Sequence, residues 1–121
     1  MQPDIRRIIA VDAHRRRSGR CPVLVHSLGT GESFDIQPMA DGFLDVASGL
    51  RVQVADERIV LPDTQETIDI RFTGDVSFDG YDHASNEPFS GRAGGGASVT
   101  VYDSRRIDYF QYAVVAEGDR L

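Results

Sequence analysis

Apolar residues in this chain recur at every second position through short runs, and turn-forming residues separate the runs. No other feature constrains the fold as tightly, because a period of two belongs to strands with one buried face. Between Ile68 and Phe78 the apolar positions are Ile68, Ile70, Phe72, Val76 and Phe78, all even. A sharper test asks whether neighbouring runs agree on a face once folded together, since a one-residue slip reverses every side chain.

Three pairs of runs pass it. Closing Val23–Leu28 onto Ser33–Ile36 through Gly29-Thr30-Gly31-Glu32 sets Val25 opposite Ile36, so Val23, Val25, Phe34 and Ile36 share a face. Glycine suits such a loop because it takes positive φ without steric cost. A turn at Asp56-Glu57 sets Val54 opposite Ile59 and Val52 opposite Leu61, and Pro62 then ends the strand. A turn through Ser104-Arg105 sets Val99 against Phe110, with Val101, Tyr112 and Val114 alongside. The other face of that hairpin pairs Tyr102 with Ile107 and Thr100 with Tyr109. It is too apolar for plain solvent, so a second sheet, a helix or a partner subunit is expected to cover it. At Gly74 the pattern fits one long kinked strand, or a three-residue loop opposing Phe72 to Val76.

Two segments read as helix. Asp4 can cap a turn that places Ile5, Ile8 and Ile9 at i, i+3 and i+4, ending near Ser18-Gly19, although a strand through Ile9, Val11 and Ala13 competes. A short helix over 41–47 would use Phe43, Leu44 and Val46. The predicted fold is therefore mainly β, with α+β as the variant: antiparallel hairpins forming a sandwich or a small barrel, plus an N-terminal helix. The length of 121 residues suits one domain spanning 1–121, and no linker or repeat divides it.

Charge and cysteine usage narrow the partners. The net charge of −6 is uneven: residues 1–20 carry six arginines against Asp4 and Asp12, and the remaining body is strongly acidic. An acidic body repels phosphate backbones, which makes a nucleic-acid partner unlikely in kind. A single cysteine, Cys21, forms no internal disulfide and points to a reducing compartment; together with the lack of a signal-peptide or membrane-spanning run this predicts a cytoplasmic, bacterial-type protein with no membrane contact.

The chemistry-bearing residues concentrate in one place. Residues 80–97 read as a long Gly-rich loop, and unstructured loops beyond about 12–15 residues are usually functional or disordered. Asp82, His83, Asn86, Glu87 and Arg92 are its candidate ligand-binding residues. His83 with Asp82 or Glu87 offers nitrogen and oxygen donors, but no H-x-H, H-x-x-x-H or C-x-x-C spacing accompanies them, so no metal site is predicted. Ser85 or Ser90 beside His83 supplies the residue types of a hydrolytic triad without a G-x-S-x-G elbow, which leaves any catalytic residue unassigned. Arg92-Ala93-Gly94-Gly95-Gly96 could cradle an anion on backbone N–H groups, yet it opens a predicted strand where a phosphate loop opens a helix. Finally, Arg15, Arg16 and Arg17 form the densest charge run, a candidate contact for an anionic partner or for the acidic body of a second copy.

The expectation is a non-catalytic binding or protein-interaction module that needs no cofactor, with homo-oligomerisation through the apolar face of the last hairpin. A small-ligand-binding protein or hydrolase centred on residues 80–97 is the alternative.

Overall fold

The computed structural model describes residues 1–119. One helix, α1 (Pro3–Ser18), precedes ten strands: β1 (Pro22–Ser27), β2 (Ser33–Met39), β3 (Gly42–Asp45), β4 (Leu50–Ala55), β5 (Arg58–Leu61), β6 (Glu66–Phe72), β7 (Ser77–Asp82), β8 (Glu87–Ala93), β9 (Ser98–Asp103) and β10 (Asp108–Ala116). Each strand pairs antiparallel with the next, and β1 pairs with β10, so the sheet closes into a barrel. Between the sandwich and barrel alternatives, closure settles on the barrel and removes the exposed sheet edges of an open meander.

The helix begins as its sequence directs. Proline is tolerated in the first turn, where its missing N–H would have no partner, and Asp4 lies there with the dipole in its favour. Gln2 takes the N-cap position without a side-chain cap, so Asp4 does not cap the helix. Gly19 ends it in the left-handed conformation, donating its N–H to the Arg15 carbonyl at 2.9 Å.

What the helix does next departs from the usual amphipathic pattern. Ten consecutive residues, Ile5 to His14, are buried, which covers every side of the cylinder. The Ile5, Ile8 and Ile9 stripe predicts one covered face; the structure covers all of them because the helix lies inside the barrel. A barrel of about eight strands is filled by its own side chains. Ten strands leave more room, and α1 fills it, joining Phe43, Val52, Ile59, Leu61, Ile68, Phe78, Val99, Val101 and Val114 in one core.

Two arginines anchor the helix across that core. Arg7 donates through Nε to Asp45 Oδ1 at 2.9 Å and through Nη2 to Asp45 Oδ2, and its guanidinium lies 4.0 Å from the centre of the Phe34 ring. Arg6 faces the other way, with Nη1 3.3 Å from Asp103 Oδ2 and its guanidinium 3.8 Å from the centre of Phe110. Each buried cation thus has a carboxylate and an aromatic face, which offsets the loss of water.

The hairpin registers sharpen the sequence reading. Val54 does oppose Ile59. Val25, however, opposes Phe34 instead of Ile36, and Val99 opposes Tyr112 instead of Phe110. Phe72 opposes Phe78, so Gly74 lies in the hairpin connection, neither in a kinked strand nor in a three-residue loop. All three differences are shifts of two residues. A shift of two leaves each side chain on its own face, so hydrophobic alternation cannot distinguish the registers and turn geometry decides.

Two segment assignments change outright. Residues 41–47 hold strand β3 where a short helix was expected, because Phe43 and Asp45 point inward on an alternating pleat. The predicted loop over 80–97 contains the end of β7 and the whole of β8. Its inward positions are Glu87, Phe89, Gly91 and Ala93, a set with little apolar alternation to read. The two glycines, Gly80 and Gly91, make the pairing of β7 with β8 fit. Phe78 opposes Gly91 and Phe89 opposes Gly80. A Cβ on Gly91 would come within 2.4 Å of Phe78 Cζ, and one on Gly80 within 2.4 Å of Phe89 Cζ. Each ring occupies the space that its partner glycine leaves empty.

Candidate functional surfaces

The filled core moves any binding function to the ends or the outer wall of the barrel. At the end where α1 begins, Asp82 and Glu87 are buried and line a cavity of about 430 Å³ together with Met1, Arg105 and Arg106. Their oxygens are already engaged. Asp82 accepts from the Ala84 N–H at 3.2 Å and the Ser85 hydroxyl at 2.7 Å, a local Asx-type turn. Glu87 accepts from the Met1 amine at 2.9 and 2.8 Å and pairs with Arg105 at 3.2 Å. Asp103 lies beneath. Burial would raise its pKa, but the Arg106 N–H, the Met1 amine and Arg6 together hold it below the usual carboxylate range.

His83 points elsewhere. Its ring is exposed on the outer wall, with Nε2 2.7 Å from Asp69 Oδ2, and Arg58 Nε approaches Asp69 Oδ1 at 3.2 Å. The His83 bond and the Arg58 bond keep Asp69 below its ordinary pKa. Tyr81 meets the His83 ring edge-on at 5.0 Å and donates to Asn86 Oδ1 at 3.4 Å. An open groove of about 840 Å³ runs beside this cluster, lined by Arg58, Asp69, Arg71, Asp79 and Tyr81. The cluster has a base and an orienting carboxylate but lacks a paired nucleophile, since the Ser85 hydroxyl donates to Asp82.

Arg92 is exposed near the far end of β8, opposite Thr100 and Ser77. Five residues of strand, about 17 Å, separate it from Glu87. The five candidate ligand residues therefore divide among three places: Asp82 and Glu87 in one mouth, His83 and Asn86 outside, Arg92 towards the other end. The three histidines are likewise apart, and among the described residues no group of three or more His, Cys, Asp or Glu could hold a metal.

The basic run closes the opposite mouth. Arg16 pairs with Asp12 and donates through Nη2 to the Ala55 carbonyl at 2.7 Å and the Arg58 carbonyl at 3.1 Å, clamping α1 to the β4–β5 hairpin. Arg17 donates to the Gly96 carbonyl at 3.1 Å in the β8–β9 loop. Arg15 is partly buried, and its carbonyl is spent on the Gly19 C-cap.

The last hairpin presents a surface of another kind. Its inner face packs on α1, but the outer face, where the alternation predicts a cover, stays exposed at Tyr109, and Tyr102 opposes Tyr109 where Ile107 is predicted. On its outer face Tyr102 and Tyr109 are cross-strand neighbours with ring centres 4.8 Å apart, Tyr109 is 65 % exposed, and Ile107 at the turn is 78 % exposed. The exterior groove is not legible in the sequence because its residues come from four strands, β4 to β7, and look like ordinary outward polar positions. The tyrosine pair is visible as alternation, a two-residue register shift away.

No helix among the described residues is long and apolar enough to cross a membrane. Compared with protein-family models, curated proteins and solved structures, the chain matches none of them.

Proposed function

We propose that this protein is a non-catalytic protein-interaction module that binds through the outer face of β9–β10. The observation that carries the reading is the exposure of Tyr109 and Ile107 beside Tyr102 on the closed barrel wall. Tyrosine supplies large contact area at low entropic cost and is enriched where proteins meet. Ile107 adds a second argument: its φ of 53° is a strained conformation for a β-branched residue, and its side chain gains little burial in return. Strain without a folding benefit is what a contact residue presents. A second copy of the chain is the simplest partner, because a two-fold contact uses the same patch twice. The exterior groove with His83 and Asp69 supports a second reading as a small-ligand site.

In-cell photo-crosslinking tests the proposal. A benzophenone side chain at position 109 should capture protein, as a dimer of this chain or as a defined heteromeric adduct, while the same group at Arg51 or Asp56 should not. Equal or absent capture at position 109 would reject the β9–β10 face.

A further inference from the structure

We infer that the barrel mouth where α1 ends is a binding site for a small tetrahedral oxyanion of the phosphate and sulfate class. Two segments that are distant in sequence meet there, the basic end of α1 and the glycine run between β8 and β9. Between them lies a cavity of about 280 Å³, lined by His14, Arg17, Arg20, Gly95, Gly96 and Asp119 among others.

The donors are more numerous than the acceptors they meet. At this mouth Arg16 and Arg20 each pair with a carboxylate, whereas Arg17, like Arg15, Arg92 and Arg106, has no carboxylate partner among the described residues. One of its N–H groups reaches the Gly96 carbonyl, and Nη1 makes no hydrogen bond among the described residues; Nε is unpaired as well but has no accessible surface. The Gly95 and Gly96 N–H groups make no backbone hydrogen bond, while Gly94 donates to Ser98 at 3.1 Å. A Cβ at Gly95 or Gly96 would meet no atom within 4 Å, so packing does not demand glycine there. Bare glycine N–H groups beside an arginine are the components of an anion-binding nest. The negative end of the helix dipole works against an anion at this position, and the arginine charges oppose it.

His14 couples the site to pH. Its ring is buried, 3.5 Å from the Ser18 hydroxyl, and faces Arg17 on its own helix, Arg20 in the following linker, the Gly96 carbonyl of the β8–β9 loop, which accepts from it and from Arg17, and Asp119 after β10. Burial first, and then Arg17, hold it below its ordinary pKa despite Asp119, so the imidazole is neutral at neutral pH. A bound dianion supplies the missing counter-charge and draws a proton onto the ring. Asp119 has the opposite effect: paired with Arg20 and held by the Ala116 N–H at 2.8 Å, it is a resident carboxylate that competes with an external anion.

Sulfate is the better probe for the pH arm because its charge stays constant over the range that titrates histidine. Sodium sulfate and inorganic phosphate would be titrated into the full chain at constant ionic strength, following the Gly95 and Gly96 amides and the His14 ring by NMR. Saturable shifts are expected with both anions and not with chloride. Arg17→Gln should weaken sulfate by about tenfold or more, the loss of one charge-assisted contact. Asp119→Asn should tighten it, and wild-type affinity should rise between about pH 8 and about pH 5.5, a trend that His14→Gln abolishes. Absence of saturable shifts in the wild type, or equal sulfate affinity in wild type and a folded Arg17→Gln, would overturn the inference. A pH trend that survives His14→Gln would also count against it.

Discussion

Removing the Asp45 carboxylate should weaken the hold of the barrel on the helix. Asp45 is fully buried and Arg7 is 5 % exposed, so Asp45→Ala strands a guanidinium away from water. Breaking one side of a buried pair costs about 3–5 kcal/mol. The lower end applies here, because Arg7 keeps Asp4 Oδ1 at 3.0 Å, a half-exposed partner, and the Phe34 ring. The Ser48 hydroxyl also loses its acceptor on Asp45. A loss near 3 kcal/mol is a large share of the roughly 5–15 kcal/mol that holds a domain together. With a urea m-value of about 1–3 kcal/mol/M, the unfolding midpoint should fall by about 1–3 M. The informative control replaces both partners: Arg7→Met with Asp45→Leu should recover to within about 1 kcal/mol of wild type, since an apolar pair needs no mutual charge. A cost below about 1 kcal/mol for Asp45→Ala, or a double variant as unstable as the single one, would refute the claim that this pair is buried and mutually dependent.

Three further outcomes follow from the geometry. Gly91→Ala places a Cβ 2.2 Å from the Thr100 carbonyl oxygen and 2.4 Å from Phe78, so its melting temperature should drop by the equivalent of about 2–3 kcal/mol or more; Phe78→Leu should relieve only the ring part of the clash. Ile107→Gly removes a φ of 53° from a β-branched residue and should raise stability by about 1 kcal/mol in urea melts, while reducing capture at position 109. Burial and Arg17 depress His14, so the unfolded chain takes up its proton first: stability is complete above the ordinary value of 6.5, falls as pH drops through the depressed folded value, and flattens across that window in His14→Gln.

Much of the wall was legible in the sequence, because alternation reports the face of a strand directly. Val52, Ile59, Leu61, Ile68, Ile70, Val99 and Val101 all point inward as their spacing requires. Register was less legible: Val25 against Phe34 and Val99 against Tyr112 preserve the same faces as the pairings two residues away, so the choice lay in turn geometry. Strand β8 is hidden by its composition, since Glu87 and Gly91 interrupt the apolar alternation of Phe89 and Ala93 and the ring that fills the space over Gly91, Phe78, belongs to β7. The helix was legible as a helix but not as a core element. Arg6, Arg7, Asp12 and His14 look like a solvated face; the barrel's Asp45 and Asp103, distant in sequence, make the burial of Arg7 and Arg6 tolerable, and Arg16 does so for Asp12. Function is less legible for the same reason. The oxyanion site joins residues near position 15 to residues near 95, and neither segment has a signature by itself.

Helix α1 lies inside the barrel, and native-state hydrogen exchange reads out that placement. The amides of Ile8, Ile9, Ala10 and Val11, all fully buried, should exchange only through global unfolding, with the same free energy and denaturant dependence as the core amides of β9 and β10. Exchange of these helix amides well below the global free energy, while the strands stay protected, would show a helix that leaves the barrel independently and would contradict the account.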